Sequence, residues 1–307
     1  MVGNILGLGS AAAFGVSWIV TRRGVLRASS NYVATISVFA GPFFFATVAI
    51  ITGDLFRLSQ FPWGFYLYMA LSGVVHFALG RTWTYRSIQL IGATRSNVVI
   101  SLNPIVTVIL GMIVLQETVT PIMVVGIVFT LASPLAVLVT EPTVSGNTLS
   151  GVKIPGRELD RPTLYKGFFY GIGGCLFWGS SAIFVKLGLE DGGSPIVGSL
   201  IAYLSASIVI LPFSTLNRGY REELLHGDRN SLRIALFSGL ITNIAQLMRY
   251  IAIGLGSAIV VSLMLRTAPL WTLLFSFIFN REYESFSRGV LLGNALLIAG
   301  TLLIILA

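Results

Sequence analysis

The sequence is short of charge, of carboxylate and of cysteine, and each shortage excludes something. Of its 307 residues 10% are charged, against roughly 25% in a soluble globular chain, which rules out an ordinary water-soluble domain. The single cysteine, Cys175, excludes an intramolecular disulfide and a Cys-rich metal site. All twelve acidic residues fall in loops or at the ends of apolar runs. The chain thus lacks the intramembrane Asp or Glu that a proton and a cationic drug can occupy in turn. The two histidines, His76 and His226, stand apart from any cluster of acids that an integral-membrane enzyme would need. Neither a GxxxxGK[ST] phosphate loop nor a channel's filter or ring motif occurs. The start, MVGNILGLGSAAAFG, has no basic region of the kind a secretory signal carries, so a retained first span is expected. The sequence calls for no metal, cofactor or enzymatic activity.

What is abundant is apolar surface. Hydrophobic residues make up 55% of the chain, and the mean hydropathy is +0.86. Runs long enough to cross a bilayer, about 17 to 25 residues, occur at 3–21, 33–52, 63–85, 93–116, 119–139, 167–187, 194–214, 232–253, 257–279 and 287–306. These are spans 1 to 10. The net charge of +8 comes from basic residues in the short loops between them, where they act as topology signals and not as a nucleic-acid footprint.

The chain is written twice. An offset of 165 aligns YRSIQLIGATRSNVVISLNPIVTVIL with YIAIGLGSAIVVSLMLRTAPLWTLLF, so that Tyr85 meets Tyr250, Ala93 meets Ala258, Pro104 meets Pro269, Thr107 meets Thr272 and Glu117 meets Glu282. An offset of 164 pairs Gly15 with Gly179, Ser17 with Ser181, Arg22 with Lys186 and Gly24 with Gly188. The halves are 1–140 and 167–307, joined by a polar linker at 141–166 rich in Pro, Gly and charge. Five spans per half is an odd number, so the second half enters the bilayer from the opposite side. This predicts an all-α membrane protein of ten helices in two five-helix inverted-topology repeats, with a binding site near the midplane between them.

The doubled unit, the small-residue motif at the ends of spans 1 and 6, the Tyr and small-residue pattern leading to Pro104 and Pro269, and Glu117 and Glu282 resemble the drug/metabolite transporter superfamily, specifically the EamA family. The resemblance covers nearly the whole chain. It implies that spans 1, 3, 4, 6, 8 and 9 surround a central cavity and that helices of the two halves intercalate. It leaves the substrate open.

Glu117 and Glu282 precede expected helix starts, where a carboxylate favours the positive end of the dipole. Thr120, before Pro121, and its repeat mate Ser285 read as N-caps. Orientation is contested. Counting Lys and Arg, the loops after odd-numbered spans hold sixteen and those after even-numbered spans three, which places the termini outside, whereas the resemblance implies cytoplasmic termini.

An ionisable group at membrane depth is a functional-site candidate. Ser262, Arg266 and Pro269 share one face of span 9, and the repeat places Asn97, Ser101 and Pro104 on the same face of span 4. Each proline should kink its helix and free a carbonyl, that of Ile100 or Leu265. Asn243, Gln246 and Tyr250 line span 8, and His76 and Trp83, seven apart around Gly80, line span 3. Together these form a candidate substrate site with one cation, several amides, an imidazole and aromatic walls. The Arg fork suits a carboxylate. Arg266 can alternatively lock the kink by binding carbonyls and Asn side chains, His76 can be a structural hydrogen-bonder, and Asn and Ser stripes also join helices. Trp18 and Trp178 read as packing or gate residues, and Arg249, near the end of span 8, as snorkelling to an interface.

The leading expectation is a secondary transporter in the plasma membrane, an exporter or exchanger of a small anionic or zwitterionic metabolite such as an amino acid, acting by alternating access. Its partners are the small-molecule substrate and the lipid bilayer, not nucleic acid, and it is a monomer or homodimer. The alternatives are a lipid or amphiphile flippase and, from another class, a lipid-modifying membrane enzyme.

Overall fold

The computed structural model describes residues 2–25, 29–91, 96, 99–140, 161–190, 192–216, 219, 221–222, 224, 227–279 and 288–306. Asn97, His226, Glu282 and Ser285 lie outside the described residues, as does the side chain of Trp18. The described residues are helices and short connections. They comprise α1 (Val2–Val25), α2 (Ser30–Thr52), α3 (Trp63–Gly73), α4 (Arg81–Ile91), α5 (Asn103–Val114), α6 (Pro121–Thr140), α7 (Arg161–Glu190), α8 (Pro195–Leu216), α9 (Arg229–Leu255), α10 (Ala258–Met264), α11 (Ala268–Phe279) and α12 (Arg288–Leu306). A π-helical segment, Val74–Gly80, joins α3 to α4 without a break.

Five helices are long and apolar enough to span a bilayer among the described residues: Tyr32–Thr52, Trp63–Ile88, Arg161–Glu190, Pro195–Leu216 and Arg229–Leu255. Shorter apolar helices fall on the remaining runs. α7 starts at Arg161, six residues before the apolar run, because helix geometry continues past the hydrophobic boundary into polar residues.

Spans 4 and 9 are interrupted at matching positions. In the first, Ser101 and Leu102 form a turn and α5 begins at Asn103 with Pro104 in its opening turn. In the second, a 3-10 turn, Leu265–Thr267, separates α10 from α11, whose second residue is Pro269. Each proline therefore opens a new helix, where its missing N–H is no loss, and does not bend a continuous one. The carbonyl of Leu265 is not freed either: the tightened turn lets it accept from the Ala268 N–H.

Packing joins the two sequence halves. α1 lies on α9, α3 and α4 on α7, α2 on α8, α5 on α7 and α10, and α6 on α12. The α6–α12 pair meets through glycines: a Cβ on Gly126 would sit 2.7 Å from the Gly300 carbonyl, and one on Gly300 2.6 Å from that of Gly126. Phe45, Phe65, Met69, Phe77, Tyr203, Tyr250 and Ile253 are buried in one core cluster. The outside is the reverse of a soluble protein's, with Phe43 77%, Ile51 79% and Ile208 69% exposed, an apolar surface suited to acyl chains.

Candidate functional site

Gly80 ends the π-helical segment and lets the Trp178 indole lie against its backbone, where any Cβ would collide. Trp178 Nε1 donates to the His76 carbonyl at 3.1 Å, and the two rings stack with centroids 6.0 Å apart. One turn on, Ser181 joins the contact. Its Oγ donates to the Trp178 carbonyl at 2.8 Å, which uses its only hydrogen. The same oxygen lies 2.8 Å from His76 Nδ1 and accepts from Arg249 Nη2 at 3.3 Å.

These bonds together fit one tautomer of the imidazole. With the one Ser181 hydrogen on the Trp178 carbonyl, Nδ1 is the donor to Ser181 Oγ and Nε2 is left as an acceptor. Gln246 Nε2 sits 3.4 Å from it, and Gln246 Oε1 accepts from Arg249 Nη1 at 3.3 Å. Beside this network Tyr250 and Ser72 share a hydrogen bond of 2.9 Å. Arg249 is only 4% exposed and stands over the Tyr250 ring at 5.9 Å. It does not snorkel. It lies six residues before the end of an unbroken α9, one helical turn beyond Gln246, and points into the protein. Arg81, five residues after His76, donates to the Ala34 carbonyl at 2.9 Å.

The second cation lies at the helix breaks. Arg266 Nη2 donates to Asn103 Oδ1 at 2.6 Å, and its Nε is buried without a partner. Thr107 anchors the same region, donating to the Gly179 carbonyl at 2.8 Å. Among the described residues no carboxylate pairs with Arg249 or Arg266. The acids are used elsewhere: Asp54 accepts from Ser194 at 2.6 Å, Glu190 pairs with Lys186 at 3.4 Å and Asp228 caps α9. Glu117 accepts from Ser257 Oγ at 2.7 Å and from the Ala258 and Ile259 N–H groups at 2.7 and 3.0 Å. Its structural role is thus to cap α10 of the other half, not the helix that follows it. Thr120 does cap its own helix, accepting from the Met123 N–H at 3.2 Å. No group of three or more metal-ligating side chains occurs among the described residues.

A family model described as the EamA-like transporter family matches residues 1–139 and 165–306. The chain belongs to the EamA-like transporter family. It is accordingly a membrane transporter of the drug/metabolite transporter superfamily and not an enzyme. No curated protein matched the chain. Among the solved structures that match, a crystal structure of a protein 12% identical covers 99% of this chain and is itself covered over 97%, at a TM-score of 0.75. That likeness concerns the fold alone.

Within this EamA-like chain the candidate residues divide. His76, Gln246 and Tyr250 come together with Arg249, Ser181 and Ser72. Arg266 stands at the break beside Asn103, with Ser101 half-buried in the matching turn and Ser262 buried on α10. Asn243 is 1% exposed, and both polar atoms of its side chain are buried without a partner. Trp83 is elsewhere, packed against Phe169, Tyr170 and Phe177 with ring centroids 5.2 to 5.4 Å apart. The cause is the π-helical segment between it and His76, whose wider turn shifts the phase so that seven residues no longer share a face. Trp178 supplies the aromatic wall beside His76 instead.

Sequence reasoning passed over Asn103 and Ser72 and misplaced Arg249. Its position three residues after Gln246 was the available signal for Arg249. Ser181 had one too, its alignment with Ser17 in the repeat, and in the structure Ser17 bonds Thr242 of α9 at 2.5 Å. Neither buried arginine lines either of two further clefts. One of about 410 Å³ lies between Glu117, Lys186, Glu190 and Ser257, and an apolar one of about 380 Å³ is lined by Val106, Ile109, Leu110, Leu176, Phe177 and Ser180.

Proposed function

We propose that this transporter moves a small anionic or zwitterionic organic solute, such as an amino acid or a related compound, across the plasma membrane. It acts as an exporter or exchanger, by alternating access between two five-helix repeats of inverted topology that form ten transmembrane helices. One observation carries the reading: Arg249 and Arg266 lie in apolar spans and, among the described residues, bond neutral partners alone. A guanidinium at membrane depth costs about 2.5 to 3.5 kcal/mol on insertion scales, and a solute carboxylate offsets that cost with charge-assisted, bidentate bonds. The unpartnered amide of Asn243 supplies a further donor and acceptor for the solute. Gln246, Tyr250, His76, Ser101 and Ser262, with Trp178 in place of Trp83 as the aromatic wall and Asn97 outside the described residues, complete the proposed solute path.

The test compares intracellular and extracellular metabolites in cells with and without the protein, followed by flux of the responding compound in proteoliposomes. A carboxylate-bearing metabolite should change its distribution. A response confined to cations would remove the reading. A lipid or amphiphile flippase is the second reading, favoured by the apolar cleft between α5 and α7, and scrambling of a labelled lipid in the same vesicles separates the two.

A further inference from the structure

The hydrogen bonds of Gln246 hold His76 and Arg249 in mutually dependent states. With His76 in its Nδ1–H form, the amide nitrogen faces Nε2 and the amide oxygen faces Arg249. A protonated ring presents a hydrogen at Nε2 and needs an acceptor there. The amide can supply that acceptor only by turning its oxygen away from Arg249. A bare imidazolium would also add a third positive charge to a region where Arg81 and Arg249 already act on the ring. The phenols of Tyr250 from α9 and Tyr203 from α8 act on Arg249, while α7 contributes Trp178 and Ser181 and no charge.

We propose that Gln246 couples one proton to one solute carboxylate. The carboxylate takes the place of Gln246 Oε1 on Arg249, the amide turns, and its oxygen accepts from a newly protonated His76 Nε2. The proton comes from water and adds one positive charge as the carboxylate adds one negative. The charge of the centre is unchanged, and solute and proton travel together. The inference rests on the proposed anionic substrate class, yet its test needs no transported compound.

The full-length chain, labelled with ¹⁵N-histidine and carrying His226→Gln so that a single signal remains, is placed in nanodiscs and followed by ¹⁵N NMR. In chloride the His76 signal should be that of the neutral Nδ1–H tautomer. Replacing chloride with acetate at constant ionic strength and fixed pH should raise the ratio of imidazolium to neutral ring about tenfold, a typical coupling between two sites. Gln246→Leu should reduce that effect to about twofold or less. Gln246→Glu, which holds a carboxylate in place, should give imidazolium in chloride with no further response to acetate. A neutral Nε2–H tautomer, no acetate response in the parent protein, or an undiminished response in Gln246→Leu would overturn the inference. Anionic flux in cells together with any of those results would sink the coupling and keep the substrate class, and the opposite pairing would do the reverse.

Discussion

Arg266 offers five donors and uses one on Asn103 Oδ1, leaving a buried Nε unmatched. A lysine there would keep the charge but lose the planar fork. Arg266→Ala is expected to cut solute flux about tenfold or more, the loss of one charged hydrogen bond, while the variant keeps its elution profile and helical signal. Arg266→Lys should recover little of it. Wild-type flux from Arg266→Ala in proteoliposomes would leave Arg266 as a pin between the two helix breaks. Arg249 differs, because Ser181 and Gln246 depend on it. Arg249→Ala leaves the Gln246 oxygen without its donor in a buried site, and a drop in thermal midpoint should accompany the loss of flux, by about 1 to 3 kcal/mol of stability.

At the scale of elements, the seven-residue helix α10 depends on the carboxylate that caps it from the other half. Glu117→Gln retains an acceptor and removes the charge that favours the helix's positive end, so stability should fall by about 0.5 to 1 kcal/mol. Glu117→Ala should cost about 1 to 2 kcal/mol, and amide exchange at Ala258 and Ile259 should speed up in hydrogen-exchange mass spectrometry. Unchanged exchange there would show that Ser257, whose Oγ already accepts from the Val260 N–H at 3.1 Å, suffices alone. The α6–α12 contact is stricter. Gly300→Leu must force backbones apart at Gly126, and a loss of about 1 to 3 kcal/mol, read as a lowered thermal midpoint in detergent, is expected.

For the whole molecule, the ten proposed spans would put both termini on one side and the 141–160 segment on the other. Reporter fusions at the two ends and within that segment should therefore give opposite signals. The basic bias predicts a cytoplasmic segment, against the cytoplasmic termini that the EamA resemblance implies, and withdrawing Arg81 and Arg249 from the loop count, because both turn inward, leaves that bias in place. Matching signals at all three positions would rule out the inverted repeat. The cross-half contacts of α1 with α9 and of α3 and α4 with α7 are the surfaces that would slide in alternating access. Ser17 and Ser181, repeat mates, each place a hydroxyl across one of them.

Composition, run length and self-similarity are local properties, and from them the sequence alone determined the membrane class, the EamA resemblance, the paired prolines and the presence of a cation within span 9. Thr120 was legible as a cap because its bond spans three residues. The partners of His76, Arg249 and Glu117 lie 105, 68 and 140 residues away, and no periodicity encodes such distances. The face shared by His76 and Trp83 failed for a related reason. A π-helical segment changes the phase of everything beyond it, and only packing against Trp178 and α7 gives that segment a reason to form. The tertiary structure thus decided which polar groups meet. Inside a membrane, where the surrounding lipid offers polar groups no partner, that meeting turns scattered side chains into a site.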